Sequence, residues 1–160
     1  MALLTAGAEH AKHLRLIVAW LEIDAPRYWW QEFDTYRHGV EKVSTSTIHT
    51  LMRTGFFSRD MFENGEYFPE SILAVCNHLL SAYGRNRTEE ERKLIKHQLK
   101  SILPEGFKQK RVVMVSYAAL ASMYRQRKNH PLNEWHVFLR EISNLPHADL
   151  FMGDESHDKD

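Results

Sequence analysis

Two stretches with the composition of β-strands stand far apart in this chain, Leu14 to Ile23 and Arg111 to Val115, and the residues between them read mostly as helix. Strands that distant in sequence cannot form a hairpin with each other. In the first stretch Leu14, Leu16, Val18 and Trp20 alternate with Arg15, Ile17, Ala19 and Leu21, and both faces are largely apolar, which predicts an interior strand. A helix is the rival reading, because Leu14, Ile17, Val18 and Leu21 also fit helical spacing. The second stretch is β-branched and runs into Ser116, a natural N-cap for a helix of good formers to about Lys128.

Between them, Asp24-Ala25-Pro26 breaks the first strand, and Pro26 is suited to open a helix from Arg27 to Tyr36 in which Tyr28, Trp29, Phe33 and Tyr36 share a face, flanked by Trp30 and Gln31. Ser44 to Thr47 offers N-caps for a short helix to about Arg53, ended by Thr54-Gly55. After a loop, Pro69 to Tyr83 carries Ile72, Leu73, Cys76, Leu79 and Leu80 at helical spacing. Thr88-x-x-Glu91 is a capping box for a further helix to about Ile102. Leu103-Pro104-Glu105-Gly106 turns the chain, and Pro131 to Asn144 is the last long helix. The expected fold is α+β: a small antiparallel or mixed sheet packed with helices, richer in helix than strand. At 160 residues the chain is sized for one domain, placed at residues 1–148, with a polar, disordered tail over 149–160.

Charge narrows the class of partner. Lys plus Arg and Asp plus Glu both total 21, so no broad field draws the chain to nucleic acid or to an anionic membrane. A phosphate would have to be held by a local group of cations, which favours a small nucleotide as ligand. One cysteine, Cys76, cannot make an internal disulfide, and no apolar run is long enough to span a bilayer. The opening Met1 to Thr5 lacks the basic flank and apolar stretch of an export signal, and a cytoplasmic location is the expectation. Gly-rich phosphate loops, a G-x-S-x-G elbow and paired cysteines are all absent. The ten histidines, among them His10-x-x-His13, His130 and His136, give no third ligand at a telling spacing, so no metal is expected.

Two polar clusters remain. Gln31, Asp34, Tyr36, Arg37 and His38, followed by Ser44, Ser46, Thr47 and His49, bring hydroxyls, an arginine and histidines near two helix ends, where anions bind readily. Plain capping and a surface ion pair explain the same residues. Lys100, Ser116, Ser122, Gln126 and Arg127 flank and follow the strand-to-helix junction; positions 120, 123 and 127 return to the face of Ser116. The bland reading is a basic helix end that complements the helix dipole.

Together these segments resemble the flavin-dependent thymidylate synthases. The likeness lies in Glu9-His10, the strand to Ile23, Ala25-Pro26-Arg27 through Gln31, Tyr36-Arg37-His38 with Ser44-x-Ser46-Thr47, then Leu103-Pro104, Ser116, Ala119-Leu120 and Gln126-Arg127. It runs over roughly residues 9 to 142, and Lys100 falls where that family has an arginine before Leu-Pro. The family's Arg-His-Arg signature is replaced by Tyr36-Arg37-His38-Gly39, with extra residues before Ser44. The resemblance implies a homotetramer that methylates dUMP with FAD, methylenetetrahydrofolate and NADPH. It implies Gln31, Ser46, Thr47, His49, Lys100 and Arg127 as substrate contacts, Arg127 also polarising the pyrimidine, and Tyr36, Arg37, His38, Ser116 and Ser122 as flavin contacts. A nucleotide-binding relative without flavin chemistry, and a one-carbon transferase acting on another pyrimidine nucleotide, are the alternatives that the altered signature leaves open.

Overall fold

The computed structural model describes residues 10–44, 46–85 and 87–153, without the side chains of residues 10, 11, 48–50 and 54. Seven α-helices and three strands are found there: β1 (Val18–Pro26), α1 (Arg27–Phe33), β2 (Val40–Ser44), α2 (Thr47–Thr54), α3 (Glu70–Gly84), α4 (Glu89–Ile102), β3 (Lys108–Ser116), α5 (Tyr117–Arg127), α6 (Asn133–Ile142) and α7 (Asp149–Met152). The sheet is antiparallel with order β1-β3-β2, so the late strand lies between the two early ones. The α+β, helix-rich class read from sequence is the class observed.

By contact the chain divides into two compact units: Met1–Ile23, Gln31–Val43 and Val112–Asp160 form the first, Asp24–Trp30 and Ser44–Arg111 the second. The second has an apolar cluster built from Leu51, Phe57, Phe62, Leu73, Cys76, Leu80, Ile95, Leu99, Leu103 and Phe107. There α3 packs on α4. The Asn77 side chain receives the Phe57 N–H at 2.6 Å and donates to the Phe57 carbonyl at 3.0 Å, fixing the loop after α2. Thr88 and Glu91 make the expected capping box, and its backbone hydrogen bond from Thr88, helped by Arg87, holds the Glu91 carboxyl below the usual glutamate range.

In the first unit α5 packs against α6, α7 and the 3-10 helix His10–Arg15. Leu120, Met123, Trp135 and Phe33 are fully enclosed, with the Phe33 and Trp135 rings 6.3 Å apart and nearly parallel. The Tyr117 hydroxyl donates to the Pro146 carbonyl at 2.6 Å and its ring meets Phe151 edge-on at 5.0 Å, which secures α7.

Several expectations change. The first strand begins at Val18, not Leu14, because residues 10–15 are 3-10 helix, and it is an edge strand rather than an interior one. Its even positions Val18, Trp20 and Glu22 are exposed, Trp20 at 70%, and Val43 of β2 and Val112 of β3 are exposed as well. Pro26 closes β1 instead of opening α1. That helix stops at Phe33 because the Thr35 and Tyr36 N–H groups turn back to the Glu32 and Phe33 carbonyls, and the Thr35 hydroxyl adds a bond to Glu32 at 2.7 Å. Trp30, expected on the flank of that helix, is wholly buried. Strand β2 has no counterpart in the sequence reading. The polar tail begins later than residue 149, since Asp149–Met152 is helical with Phe151 buried; residues 154–160 lie outside the described residues, as does the Glu9 position. Among the described residues no helix is long and apolar enough to cross a membrane.

Candidate functional site

In the first unit the junction between β3 and α5 is built as its sequence suggests. Buried Ser116 caps α5 by accepting the Ala119 N–H at 3.2 Å, and its own N–H donates to the Gly39 carbonyl at 2.7 Å. Gly39 has a φ of +71°, and a Cβ there would overlap the Ser116 hydroxyl, so the turn into β2 needs glycine both for conformation and for space. His38, Gly39 and Ser116 line one cavity of about 420 Å³ with Arg15 and Ala118. Two residues carried over as flavin contacts, His38 and Ser116, are thereby brought together; Arg37 is exposed beside them in sequence.

One face of α1 and the end of α5 make a second arrangement. The Arg127 guanidinium donates from Nε to the Tyr36 hydroxyl at 3.0 Å and from Nη1 to Glu32 Oε2 at 2.8 Å, while lying 4.7 Å over the Trp135 ring. Glu32 Oε2 also accepts from Trp135 Nε1 at 2.8 Å, and His130 Nε2 stands 3.2 Å away. Because the Leu132 N–H donates to His130 Nδ1 at 3.2 Å, a neutral His130 carries its proton on Nε2, where it faces Glu32. The Tyr36 hydroxyl donates in turn to Gln126 Oε1 at 3.0 Å, and Gln126 Nε2 donates to Ser122 at 3.1 Å. Tyr36, Arg127 and Ser122 are therefore joined through one hydrogen-bonded chain. A guanidinium has five N–H groups; those given to Tyr36 and Glu32 leave the Nη2 pair and one on Nη1 for a ligand.

Of the expected substrate positions, the second unit holds Ser46, Thr47, His49 and Lys100. Ser46 is the N-cap residue of α2 and exposed, yet its side chain makes no capping bond, contrary to the capping reading. Thr47 is half-buried and its hydroxyl accepts from Gln109 Nε2. Gln109 Oε1 accepts from Arg111 at 2.9 Å, and the Arg111 guanidinium lies 4.2 Å over the Trp30 ring, whose Nε1 donates to the Gln109 carbonyl at 2.9 Å. Lys100 is exposed in the last turn of α4 and makes no hydrogen bond to Ser46 or Thr47 among the described residues. Gln31, in the first unit, is exposed; the His49 side chain lies outside the described ones.

Sequence reasoning missed Arg15, Glu32, Gln109, Arg111 and Trp135.

The topology around this geometry, a three-stranded sheet with its late strand central and a capped helix issuing from it, is the fold of the flavin-dependent thymidylate synthases. The flavin-dependent thymidylate synthase ThyX of Helicobacter pylori, solved with FAD and dUMP, matches 91% of this chain over 83% of its own, with a TM-score of 0.57 and 18% identity. A second ThyX structure from Helicobacter pylori, also with FAD and dUMP, matches 90% of this chain over 74% of its own, with a TM-score of 0.60 and 18% identity. No family model matches the chain, and no curated protein does.

Proposed function

We propose that this chain is a flavin-dependent thymidylate synthase, methylating dUMP to dTMP with methylenetetrahydrofolate as one-carbon donor, FAD as cofactor and NADPH as reductant. The likeness of nine-tenths of the chain to a ThyX solved with FAD and dUMP carries this reading, because it coincides with the motifs quoted from Gln31 to Arg127. The flavin, when bound, supplies the hydride. The protein's own residues bind and polarise.

In this reading Arg127 is the catalytic residue. Glu32, Tyr36 and Trp135 hold its guanidinium in place before substrate arrives, and its remaining N–H groups bond the uracil carbonyl and ring edge. Lys100, Ser46, Thr47 and His49 serve the nucleotide phosphate, with Gln31 on the base. The cavity of His38 and Ser116, with exposed Arg37 next to His38 in sequence, suits the anionic part of the cofactor, since it offers the Arg15 cation, an imidazole and a hydroxyl and, among the described residues, has no carboxylate in its lining. The exposed apolar residues on all three strands, Trp20, Val43 and Val112 among them, favour a homotetramer in which copies of the chain cover the sheet and complete one another's sites.

One observation favours a second reading, a relative that binds the nucleotide but not the flavin: the Tyr36 hydroxyl and the Ser122 hydroxyl are already engaged by Arg127 and Gln126. Calorimetry separates the two. Binding of dUMP that strengthens when FAD is added supports the synthase, dUMP binding with no uptake of FAD supports the relative, and mass analysis of the product distinguishes methyl transfer from another one-carbon group.

A further inference from the structure

Arg127, Lys42 and Arg140 of the first unit each pair with a carboxylate: Glu32, Asp34 and Glu141. Lys12, Arg15 and Arg125 depart from that habit, for among the described residues none makes an ion pair, and all three are exposed. They are also gathered. A cavity of about 370 Å³ is lined by Lys12, Arg15 and Arg125 over an apolar floor that includes Ala118, Ala121, Leu150 and Phe151. It shares Arg15 and Ala118 with the cavity of His38, Gly39 and Ser116, so Arg15 stands in the wall of both.

The fold brings these cations together from two separate segments. Lys12 and Arg15 lie on the 3-10 helix that packs against α5, and Arg125 is in the last turn of α5 itself. Favourable interaction with the dipole of α5 accounts for Arg125, but not for Lys12 and Arg15, which lie on another segment. Among the described residues no carboxylate lines either cavity, so the three side chains repel one another beside an apolar surface. An anion relieves that repulsion, and the apolar floor favours an anion attached to an apolar body.

We propose that this groove binds a diphosphate-bearing ligand, its phosphates between Lys12, Arg15 and Arg125 and its apolar body on Ala118, Ala121 and Leu150. The inference does not depend on flavin chemistry: the diphosphate can belong to a free nucleotide or to a dinucleotide cofactor, and the probes distinguish these sources.

The experiment titrates the full chain with inorganic pyrophosphate, ADP, FMN and FAD by calorimetry, in wild type and in the variants Arg15→Gln, Arg125→Gln and Ala121→Glu, with Lys93→Gln, which is not in the lining of the groove, as a control. Loss of one charge-assisted contact weakens binding about tenfold or more. The expected result is saturable binding of pyrophosphate and tighter binding of ADP, each weakened about tenfold by Arg15→Gln and by Arg125→Gln and unaffected by Lys93→Gln, with Ala121→Glu weakening ADP more than pyrophosphate. FAD binding that tracks these variants while FMN does not assigns the groove to the cofactor's diphosphate; ADP binding alone assigns it to a free nucleotide. Circular dichroism checks that each variant folds, and Lys12→Gln replaces any that does not. Failure of both pyrophosphate and ADP to bind, or affinities unchanged in Arg15→Gln and Arg125→Gln, would overturn the proposal. FAD bound with unaltered affinity in those two variants, while ADP and pyrophosphate are weakened, assigns the groove to a free nucleotide and leaves the synthase reading intact.

Discussion

Glu32 is the residue on which the Arg127 arrangement turns, since one of its oxygens meets Arg127, Trp135 and His130. Both side chains of the pair are partly exposed, 17% for Arg127 and 33% for Glu32, so the full penalty of a stranded buried charge does not apply. Glu32→Ala is expected to cost about 2 kcal/mol in urea unfolding, and to weaken dUMP binding through a guanidinium no longer held in place. Arg127→Ala is expected to weaken that binding about tenfold or more. A Glu32→Ala protein with unchanged stability and unchanged affinity would contradict both roles. Gly39 gives a second test at this scale. Gly39→Ala should cost about 2 kcal/mol, from the positive φ and from displacement of the Ser116 cap. In a Ser116→Ala background the same change should cost less, because the overlapping hydroxyl is gone, and a double-mutant cycle measures the difference. The sequence singles out Arg127, Tyr36 and Ser116 because they stand at motif positions. It does not single out Glu32, for a lone acid on a short helix has no pattern until α6 brings Trp135 and the preceding loop brings His130 to it.

At the scale of elements, α4 carries a pH dependence whose sign follows from Glu91. Its carboxyl is held below the ordinary glutamate range by the Thr88 backbone bond, so the ionised form is favoured in the folded chain. The stabilisation is therefore present above the ordinary value of 4.5 and is lost as pH falls through the lower folded value. Thermal unfolding of wild type and Glu91→Gln is expected to differ at neutral pH and to converge in acid; a gap that widens on acidification would contradict the cap. The helix was plain in sequence because a capping box is a local pattern. Strand β1 was half legible. Alternation identified it as a strand, but two apolar faces were read as an interior position, and nothing local distinguishes an edge strand with exposed Trp20 from a buried one. β2 escaped notice because two of its five residues are charged and its pairing with β3 is long-range.

For the whole molecule, the exposed Val18, Trp20, Val43 and Val112 leave an apolar surface that assembly would cover. If the chain assembles as the proposed tetramer, Trp20→Glu is expected to shift the sedimenting species to smaller forms without loss of secondary structure; a wild-type chain that sediments as a monomer at all concentrations would remove the tetramer from the account. Cys76 reports on the second unit alone. Its thiol is buried in the apolar cluster, and burial pushes its pKa above the ordinary thiol value, so alkylation should be slow until that cluster opens in denaturant. The central claim is that this chain couples a flavin to dUMP, and the direct measurement is anaerobic: protein loaded with FAD, reduced, then mixed with methylenetetrahydrofolate with and without dUMP while flavin absorbance is followed. The account predicts that the oxidised flavin spectrum returns only when dUMP is present and that dTMP accumulates with it. Protein that takes up FAD yet reoxidises at the same rate without dUMP, or forms no dTMP, would contradict it.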